Sequence, residues 1–419
     1  SLDLSSLQAV GGVTTDSGYT NLVLDGSTAT VGPLQSANRL GVTLTNGAAM
    51  TIGGFAGDAA LTNSGFVVSG GSKLDASRLV GSLNESGLNA STFLNASGAG
   101  SLINLSGLRT LDVGSNGPNG NAIQASSGAK IDLSGVTSLQ PPVNSAAISI
   151  NASGGSIDLS SLQTINGIPV GQSVRGSAGA GNALLTGGPG QVAFNVSGAG
   201  SLLLHGMAVG SGVHFNLTDT GSTLTLNGGL TLLAGSTLSA GSGTQVDVDG
   251  SYSFQQTVES QVATDLATLA MTNAGGHVVE VGGKDNGRPT GTGTVTSNFA
   301  WGQLDVGQAG TANTVELADL VDNGNRTSTS AEALYLNGGS GVSGLHILGG
   351  STLVLDRVDL YSMENGQWTY INGLFGAGVT RIAYDQGYIA LVPEPGSLAL
   401  LLSGLGLVGI RLRRAKVRE

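Results

Sequence analysis

The sequence contains no cysteine, which excludes disulfide bonds, thiolate metal sites and a cysteine nucleophile. Charged residues make up only 10% of the 419 residues, and aromatic residues only 4%. Glycine, by contrast, supplies 71 residues, a content too high for packed helices, while the 40% hydrophobic content is too high for disorder. The composition therefore favours an all-β chain of short strands joined by many tight turns.

Positive charge is scarce in most of the chain. Five of the 16 Lys and Arg residues lie in the final nine residues, and without those five and Glu419 the chain holds 26 acids against 11 bases, a net charge of −15. Such a surface repels the phosphate backbone of nucleic acids. We therefore expect no nucleic-acid partner.

A six-residue phrase recurs five times in the first 162 residues. It consists of an apolar residue, Asp or Asn, a small or apolar residue, Ser, any residue, and Leu or Val. The copies are LDLSSL at 2–7, LDASRL at 74–79, INLSGL at 103–108, IDLSGV at 131–136 and IDLSSL at 157–162. Alternation of apolar and polar residues is typical of strands with one buried face. The repeats predict rungs of a parallel β-helix, or β-solenoid, stacked roughly 4.8 Å apart.

The second position of the phrase predicts a row of polar side chains on the outside of the solenoid, formed by Asp75, Asn104, Asp132 and Asp158. One interpretation is a solvated surface ladder that keeps the protein soluble and resists aggregation. The alternative is an active site of the kind found in polysaccharide lyases built on β-helices, or a row of Ca²⁺ ligands. We favour the surface ladder.

Sequence motifs for catalysis and metal binding are lacking. The four His residues, at positions 205, 214, 277 and 346, do not have metal-ligand spacing, and no nucleophile elbow, phosphate loop or His-Glu-x-x-His occurs. The stretch DLVDNGN at 319–325 resembles a Ca²⁺ loop in its acids and amides, but it lacks the alternating ligand order and the Glu at position 12. We interpret it as a turn, and we expect no catalytic residues, cofactor or metal.

Changes in pattern divide the chain into segments. Residues 1–256 carry the solenoid repeats, and residues 273–391 are β-like but less repetitive, as in a distinct β domain or a cap of the solenoid. Between them, residues 257–272 show apolar residues at helical spacing. They predict a short amphipathic helix with an apolar face of Val258, Val262, Leu266 and Leu269. The bulk for closing the solenoid end comes from Trp368, Tyr370 and Phe375.

The final segment, residues 392–419, has three parts. The triplet Pro393-Glu394-Pro395 lacks two backbone donors and resists helix formation, so it predicts an exposed, extended joint. The apolar part contains Leu398, Leu400, Leu401, Leu402, Leu405, Leu407, Val408 and Ile410. The basic end contains Arg411, Arg413, Arg414, Lys416 and Arg418.

The apolar stretch 398–410 has 13 residues, fewer than the roughly 20 that span a bilayer as a helix. It predicts a short transmembrane-like helix that holds the chain in the inner membrane only transiently. The basic residues would stay on the cytoplasmic side and leave residues 1–395 outside.

This tail resembles the PEP-CTERM signal of Gram-negative bacteria in its Pro-Glu-Pro triplet, short apolar helix and Arg-rich end. The resemblance covers about 27 residues of the chain and does not identify a ligand. It implies that an exosortase-type membrane transpeptidase is a partner, and that the protein is sorted to the cell surface or extracellular matrix, commonly alongside exopolysaccharide. Because the chain begins within a repeat at Ser1, we expect a secretory signal upstream.

The sequence therefore predicts a secreted, non-enzymatic β-solenoid that serves as a structural or adhesive component of the cell surface, with exopolysaccharide or biofilm as its partner. Two alternatives stay open. A polysaccharide-active lyase or glycosidase requires carboxylates that converge in a cleft. An ice-binding protein, a class in which some members carry a similar tail, requires a flat, regular row of Thr.

Overall fold

A computed structural model describes residues 1–7, 9–11, 20–54, 60–84, 93–112, 122–140, 147–165, 183–185, 191–210, 212–327, 331–339 and 342–392. These residues form an all-β chain in which strands from successive repeats pair in parallel and stack as rungs. The predicted parallel β-solenoid is confirmed. Up to residue 165 its strands lie on three faces, each of which takes one strand from a rung, and two of these faces continue beyond that point.

The first face, which we call the Asp face, carries the second-position residues of the repeated phrase. Its strands are Leu2–Leu4, Thr28–Val31, Ala49–Ile52, Lys73–Asp75, Leu102–Asn104, Lys130–Asp132, Ser156–Leu159, Ser201–Val209, Thr223–Leu232 and Gln245–Val248. The two longest of these extend past the face, and their ends pair with Ala183–Leu185 and Tyr252–Phe254.

Two further faces, which we call the Asn face and the short face, complete the rungs of the N-terminal part of the chain. The Asn face consists of Thr20–Asp25, Leu40–Thr45, Gly65–Ser69, Leu94–Ser97, Ala122–Ser126, Ala147–Ser153, Gln191–Ser197, Val213–Leu217 and Thr237–Ala240. The short face consists of Ala9–Gly11, Ser36–Asn38, Ala60–Thr62, Gly81–Asn84, Leu108–Asp112, Ser138–Gln140 and Thr164–Ile165.

Every fixed position of the repeated phrase has a structural role, which the copy at residues 131–136 illustrates. Ile131, Leu133 and Val136 are buried in the core, as the period-2 pattern requires. The Val136 N–H donates to the Leu133 carbonyl oxygen at 2.9 Å, which closes a tight corner. Asp132 points outward, and its carboxylate accepts from the backbone N–H of Ser134 at 3.1 Å. The phrase therefore encodes a strand followed by a corner.

The core is built from columns of inward side chains in exact parallel register. One column of the Asp face runs through Ala29, Met50, Leu74, Ile103, Ile131, Ile157, Leu202, Leu224, Val246, Leu269, Leu304 and Leu345, all of which are buried. Because this column passes residue 256, parallel stacking continues into the C-terminal third of the chain. The domain boundary at residue 256 stays a prediction.

The amphipathic helix predicted at residues 257–272 is wrong. A single 3-10 turn occupies Glu259–Gln261, and a strand follows at Val262–Met271. This strand pairs first with the Asn face, at Leu238, and then with the Asp face, at Val246. Two neighbouring rungs offer strand edges on both faces, and this pairing overrides the local helical spacing.

The remaining strands form the C-terminal part of the solenoid. They are Gly275–Glu280, Trp301–Val306, Asn313–Ala318, Ala333–Leu336, Leu345–Ile347, Thr352–Asp356, Asp359–Glu364, Gln367–Tyr370, Arg381–Tyr384 and Gly387–Leu391, with a second 3-10 turn at Asn372–Leu374. Two antiparallel hairpins, 359–370 and 381–391, interrupt the parallel stacking at this end. The first turns at Asn365 and Gly366, whose φ angles of 51° and 77° match a type I′ turn.

Aromatic side chains of the first hairpin pack against one another and against the neighbouring strand Ala333–Leu336. Tyr335 stacks on Tyr361 with ring centroids 4.9 Å apart, and Tyr361 stacks on Tyr370 at 5.2 Å. Trp368 is buried against Tyr335, and Phe375 is partly buried against the main core. These hairpins lie at the C-terminal end of the described solenoid, where the sequence predicts a distinct β domain or a solenoid cap, and which of the two they form stays a prediction.

The predicted sorting tail from Pro393 onward, with its short apolar helix, lies outside the described residues. Among the residues that are described, we find no helix of sufficient length and apolarity to cross a membrane.

Candidate functional site

The predicted surface ladder lies in one column of the Asp face. Parallel register places Asp75 beside Asn104, Asn104 beside Asp132, and Asp132 beside Asp158. Each of the four side chains accepts a hydrogen bond from the backbone N–H two residues later, at 3.1 to 3.2 Å. These are Asx turns, in which a side-chain oxygen fixes the corner after a strand. The structure thus gives the ladder an architectural role in shaping the corners.

Asp132 illustrates the electrostatics of the ladder. Partial burial opposes its ionisation, but hydrogen bonds from Ser134 and the positive charge of Lys130 outweigh this and lower the pKa of the Asp132 carboxyl. The Ser134 hydroxyl donates to Oδ1 at 2.7 Å, and Lys130 Nζ lies 3.4 Å from Oδ2. A carboxylate whose ionised form is stabilised in this way is poorly suited to act as a general acid at neutral pH.

The same column bears on the ice-binding alternative. Thr30 and Thr51 are neighbours in it, but Asp75 and Asn104 follow them. A flat ice-binding surface requires Thr to repeat on one phase over several rungs. This column of the Asp face therefore gives the ice-binding alternative no support.

A second outward column, on the Asn face, consists of stacked amides. Asn195 lies between Asn151 and Asn216 in the register. The side-chain amide of Asn195 donates to Asn151 Oδ1 at 2.8 Å, and that of Asn216 donates to Asn195 Oδ1 at 2.9 Å. Hydrogen bonds of this kind hold successive rungs together.

An acidic cluster that the sequence did not predict lies near the C-terminal end. Glu280 ends one strand, Asp319 follows the strand Asn313–Ala318, and Glu332 precedes the strand Ala333–Leu336. The parallel pair Glu280 and Ala318 brings Glu280 beside Asp319. Each of the three residues contributes one carboxylate oxygen to a group in which all three oxygens lie within 4.8 Å of one another.

Backbone groups orient the two glutamates of this cluster. Glu280 Oε1 accepts from the N–H groups of Leu320 and Val321, at 3.0 and 2.9 Å. Glu332 Oε1 accepts from those of Asn323 and Asn325, at 2.9 and 3.0 Å. The stretch 319–325 is therefore an irregular segment whose backbone surrounds two carboxylates, and its interpretation as a turn stays a prediction.

The acids also shift the pKa values of one another. Burial raises the pKa of Glu280 to about 8 against the effect of its two backbone donors, and Asp319 and Glu332 add to the rise. Burial likewise raises the pKa of Glu332 to about 7, with contributions from Asp319 and Asp322. Arg326 forms an ion pair with Asp319. When its three acids are ionised, the cluster therefore holds more negative charge than Arg326 neutralises.

A groove of about 390 Å³ opens beside the first hairpin. Its lining includes His346, Glu364, Tyr384 and Asp385. His346 Nδ1 lies 3.8 Å from Asp385 Oδ2, and burial together with the adjacent Glu364 raises the pKa of Tyr384. Carboxylates and a hydroxyl that line an open groove can bind polyhydroxylated ligands.

The described chain ends on a paired strand immediately before the Pro-Glu-Pro triplet. The N–H of Leu391 donates to the Thr380 carbonyl at 2.9 Å, and that of Val392 donates to the Leu355 carbonyl at 3.2 Å. The triplet therefore begins one residue after a position that the fold holds in place.

Comparison with protein families identifies the segment that follows the last strand. Residues 391–415 match the PEP-CTERM protein-sorting motif. The motif starts at the last residue of the final strand, and the predicted sorting signal is confirmed. It indicates export and sorting to the cell surface, and it implies processing by exosortase, a membrane enzyme. No curated protein and no solved structure matches the chain.

The structure thus brings together the four predicted ladder residues, whereas the sorting residues from Pro393 to Arg418 lie outside the described part. Sequence analysis missed the acidic cluster because its acids are 39 and 13 residues apart and only the pairing of strands joins them. The stretch 319–325 was the one available signal. Its acids and amides do not follow the ligand order of a continuous Ca²⁺ loop, because the two glutamates of the cluster lie outside it.

Proposed function

We propose that this exported solenoid is a non-enzymatic structural or adhesive component of the cell surface, associated with exopolysaccharide in the extracellular matrix. The observation that carries the proposal is the direct junction between a sorting motif and a long, regular, acidic solenoid. A rigid rod delivered to the cell surface suits a scaffold, because it presents the same polar groups many times along its length.

The hydrogen bonds that the ladder side chains form with the backbone support a structural role over a catalytic one. Asp75, Asp132 and Asp158 each stabilise a corner of the solenoid, and Asn104 performs the same task without a charge. A position that works equally well with an amide does not depend on proton transfer. The repeated surface would then bind its partner through many weak polar contacts.

Sorting and matrix association can be tested separately in a host that contains an exosortase. Replacing both prolines, Pro393→Ala and Pro395→Ala, should remove the protein from the cell surface, whereas Arg418→Ala, outside the matched residues, should not. The apolar stretch 398–410 would hold the chain in the membrane until it is processed. Membrane fractions of the double variant should then contain the unprocessed chain.

Matrix association would be measured as exopolysaccharide retained in biofilms of strains with and without the protein, together with glycan-array binding. We expect the strain without the protein to retain less polysaccharide. Unchanged retention together with no glycan binding would contradict the adhesive role, while leaving the sorting result intact.

A second candidate, a polysaccharide-active enzyme, is favoured by one observation: the groove beside the first hairpin contains Glu364 and Asp385. If this groove cleaves glycans, the wild-type protein should release reducing ends or unsaturated sugars from acidic polysaccharides. Glu364→Gln and Asp385→Asn should abolish that release, and Asp158→Asn should not. Absence of products from the wild type would eliminate this candidate.

A further inference from the structure

Two carboxylate oxygens of the acidic cluster are buried without any partner in the described structure. Glu280 is 2% exposed and Glu332 is fully buried, yet Oε2 of each makes no hydrogen bond. In both residues Oε1 is already engaged by two backbone N–H groups. Buried acceptors left unpaired are unfavourable and rare in native proteins, so these oxygens point to an ordered water or an ion as their partner.

A third unpartnered oxygen belongs to Asn323, which is 1% exposed. Its amide nitrogen donates to the carbonyl oxygens of Phe254 and Gln256, at 3.3 and 2.9 Å. These bonds fix which end of the amide faces the Tyr252–Phe254 strand and leave Oδ1 without a donor. The backbone N–H of the same residue donates to Glu332, so this oxygen belongs to the loop that surrounds the cluster.

The charge of the cluster matches a divalent cation. Three carboxylates carry three negative charges, and the guanidinium of Arg326 neutralises one of them at Asp319. When all three acids are ionised, the remaining two charges have no ion-pair partner among the described residues. The four backbone N–H donors nevertheless favour the ionised carboxylates.

The donor atoms select the type of ion. All three are carboxylate oxygens, and the cluster contains neither His nor Cys, which disfavours zinc and copper. Mg²⁺ usually keeps several waters and uses one or two carboxylates, whereas Ca²⁺ accepts six to eight oxygens in flexible geometry. Three carboxylates on separate strands suit the larger ion.

We propose that Glu280, Asp319 and Glu332 bind a Ca²⁺ ion that fastens the loop at residues 319–325 to the strand ends of the solenoid. The ion joins a residue of one rung to the loops of the next, and it would act as a structural clamp near the C-terminal hairpins. Extracellular calcium sites work at submillimolar to millimolar ion concentrations, which an exported protein encounters.

The test is calorimetric titration of the full chain, first stripped with EDTA, with CaCl₂ and separately with MgCl₂. We expect one Ca²⁺ bound per chain, an affinity for Mg²⁺ at least about tenfold weaker, and a melting temperature that rises and saturates with Ca²⁺. Neither heat of binding nor a rise in melting temperature at about 10 mM CaCl₂, far above typical extracellular affinities, would overturn the proposal.

Variants locate the site. Glu332→Gln and Glu280→Gln keep the size and one acceptor oxygen, and each should weaken Ca²⁺ binding by about tenfold or more. Glu316→Gln is the matched control, because Glu316 lies outside the cluster on the strand that leads to Asp319. Wild-type affinity in both cluster variants would show that calcium binds elsewhere. If a variant does not fold, the titration of the wild type still decides whether the ion binds.

Discussion

The side-chain amide of Asn195 donates a hydrogen bond to the side-chain oxygen of Asn151, although 44 residues separate the two along the chain. Asn195 also accepts from Asn216 on the following rung. Its side chain is therefore the middle member of a ladder that crosses three rungs. Such contacts depend on the register and link neighbouring repeats.

Replacing this middle amide should weaken the solenoid. Asn195→Ala removes two hydrogen bonds at once, so we expect a loss of about 1–3 kcal/mol in the free energy of unfolding. The measurement is urea denaturation followed by circular dichroism. Ser239→Ala provides the control, because Ser239 is exposed in the same column, beside Asn216. Equal stability of the two variants would show that the amide ladder contributes nothing.

The Asx corners make a prediction that separates charge from hydrogen bonding. Asp132→Ala removes the acceptor for the N–H and hydroxyl of Ser134, and it should cost about 1–2 kcal/mol in unfolding free energy. Asp132→Asn keeps the acceptor and should cost less than half as much, because Asn104 already fills the same position one rung earlier. Thermal denaturation of both variants provides the comparison. Similar losses would mean that the negative charge matters more than the corner.

The strand Val262–Met271 makes a prediction that a helix would not. Leu269 is 1% exposed and Leu266 is 49% exposed, although both would face the core in a helix with the predicted apolar stripe. Leu269→Ala should therefore destabilise the protein by about 2–4 kcal/mol. Leu266→Ala should change stability by less than about 0.5 kcal/mol. Comparable losses in the two variants, measured by chemical denaturation, would contradict the strand.

The local sequence pattern correctly predicts which side chains of a repeat point into the core. The alternation in IDLSGV placed Ile131 inside and Asp132 outside, and the recurrence of the phrase predicted the register that aligns Asp75 with Asn104. The alternation is local, and the register follows because the phrase recurs at a nearly constant spacing.

Pattern failed where distant strands decide the outcome. Val262, Leu266 and Leu269 have helical spacing. The segment nevertheless forms a strand, because it pairs with the strands that contain Leu238 and Val246. The spacing of Glu280 and Glu332 likewise carries no signal, because their proximity depends on strand pairing between distant residues, such as that of Glu280 with Ala318. Neither result follows from a window of the sequence.

The raised pKa values of the acidic cluster predict how stability depends on pH in EDTA. Glu280 and Glu332 have ordinary pKa values of 4.5 and folded values of about 8 and about 7. Because the folded protein holds these protons more tightly, the contribution to stability is complete below pH 4.5 and is lost as the pH rises toward 8. Melting temperatures between pH 5 and pH 8 in EDTA should therefore fall as the pH increases.

Calcium and Glu332→Gln are the matched tests of this pH dependence. Saturating CaCl₂ should flatten the fall, since the ion replaces the protons as the partner of the carboxylates. Glu332→Gln should also flatten it, because the variant has one fewer group to deprotonate. A fall of the same steepness in the variant and the wild type would assign the dependence to other acids.

The hydrogen-bonded strand Gly387–Leu391 also determines how the protein responds to mechanical force. This strand pairs along its length with Thr352–Asp356 on one side and with Arg381–Tyr384 on the other, and the sorting motif leaves from its end. A pull along the strand from residue 392 stretches several backbone hydrogen bonds at the same time, and they do not open one by one. An attachment made at this point would resist shear from flowing water without a further domain to bear the tension.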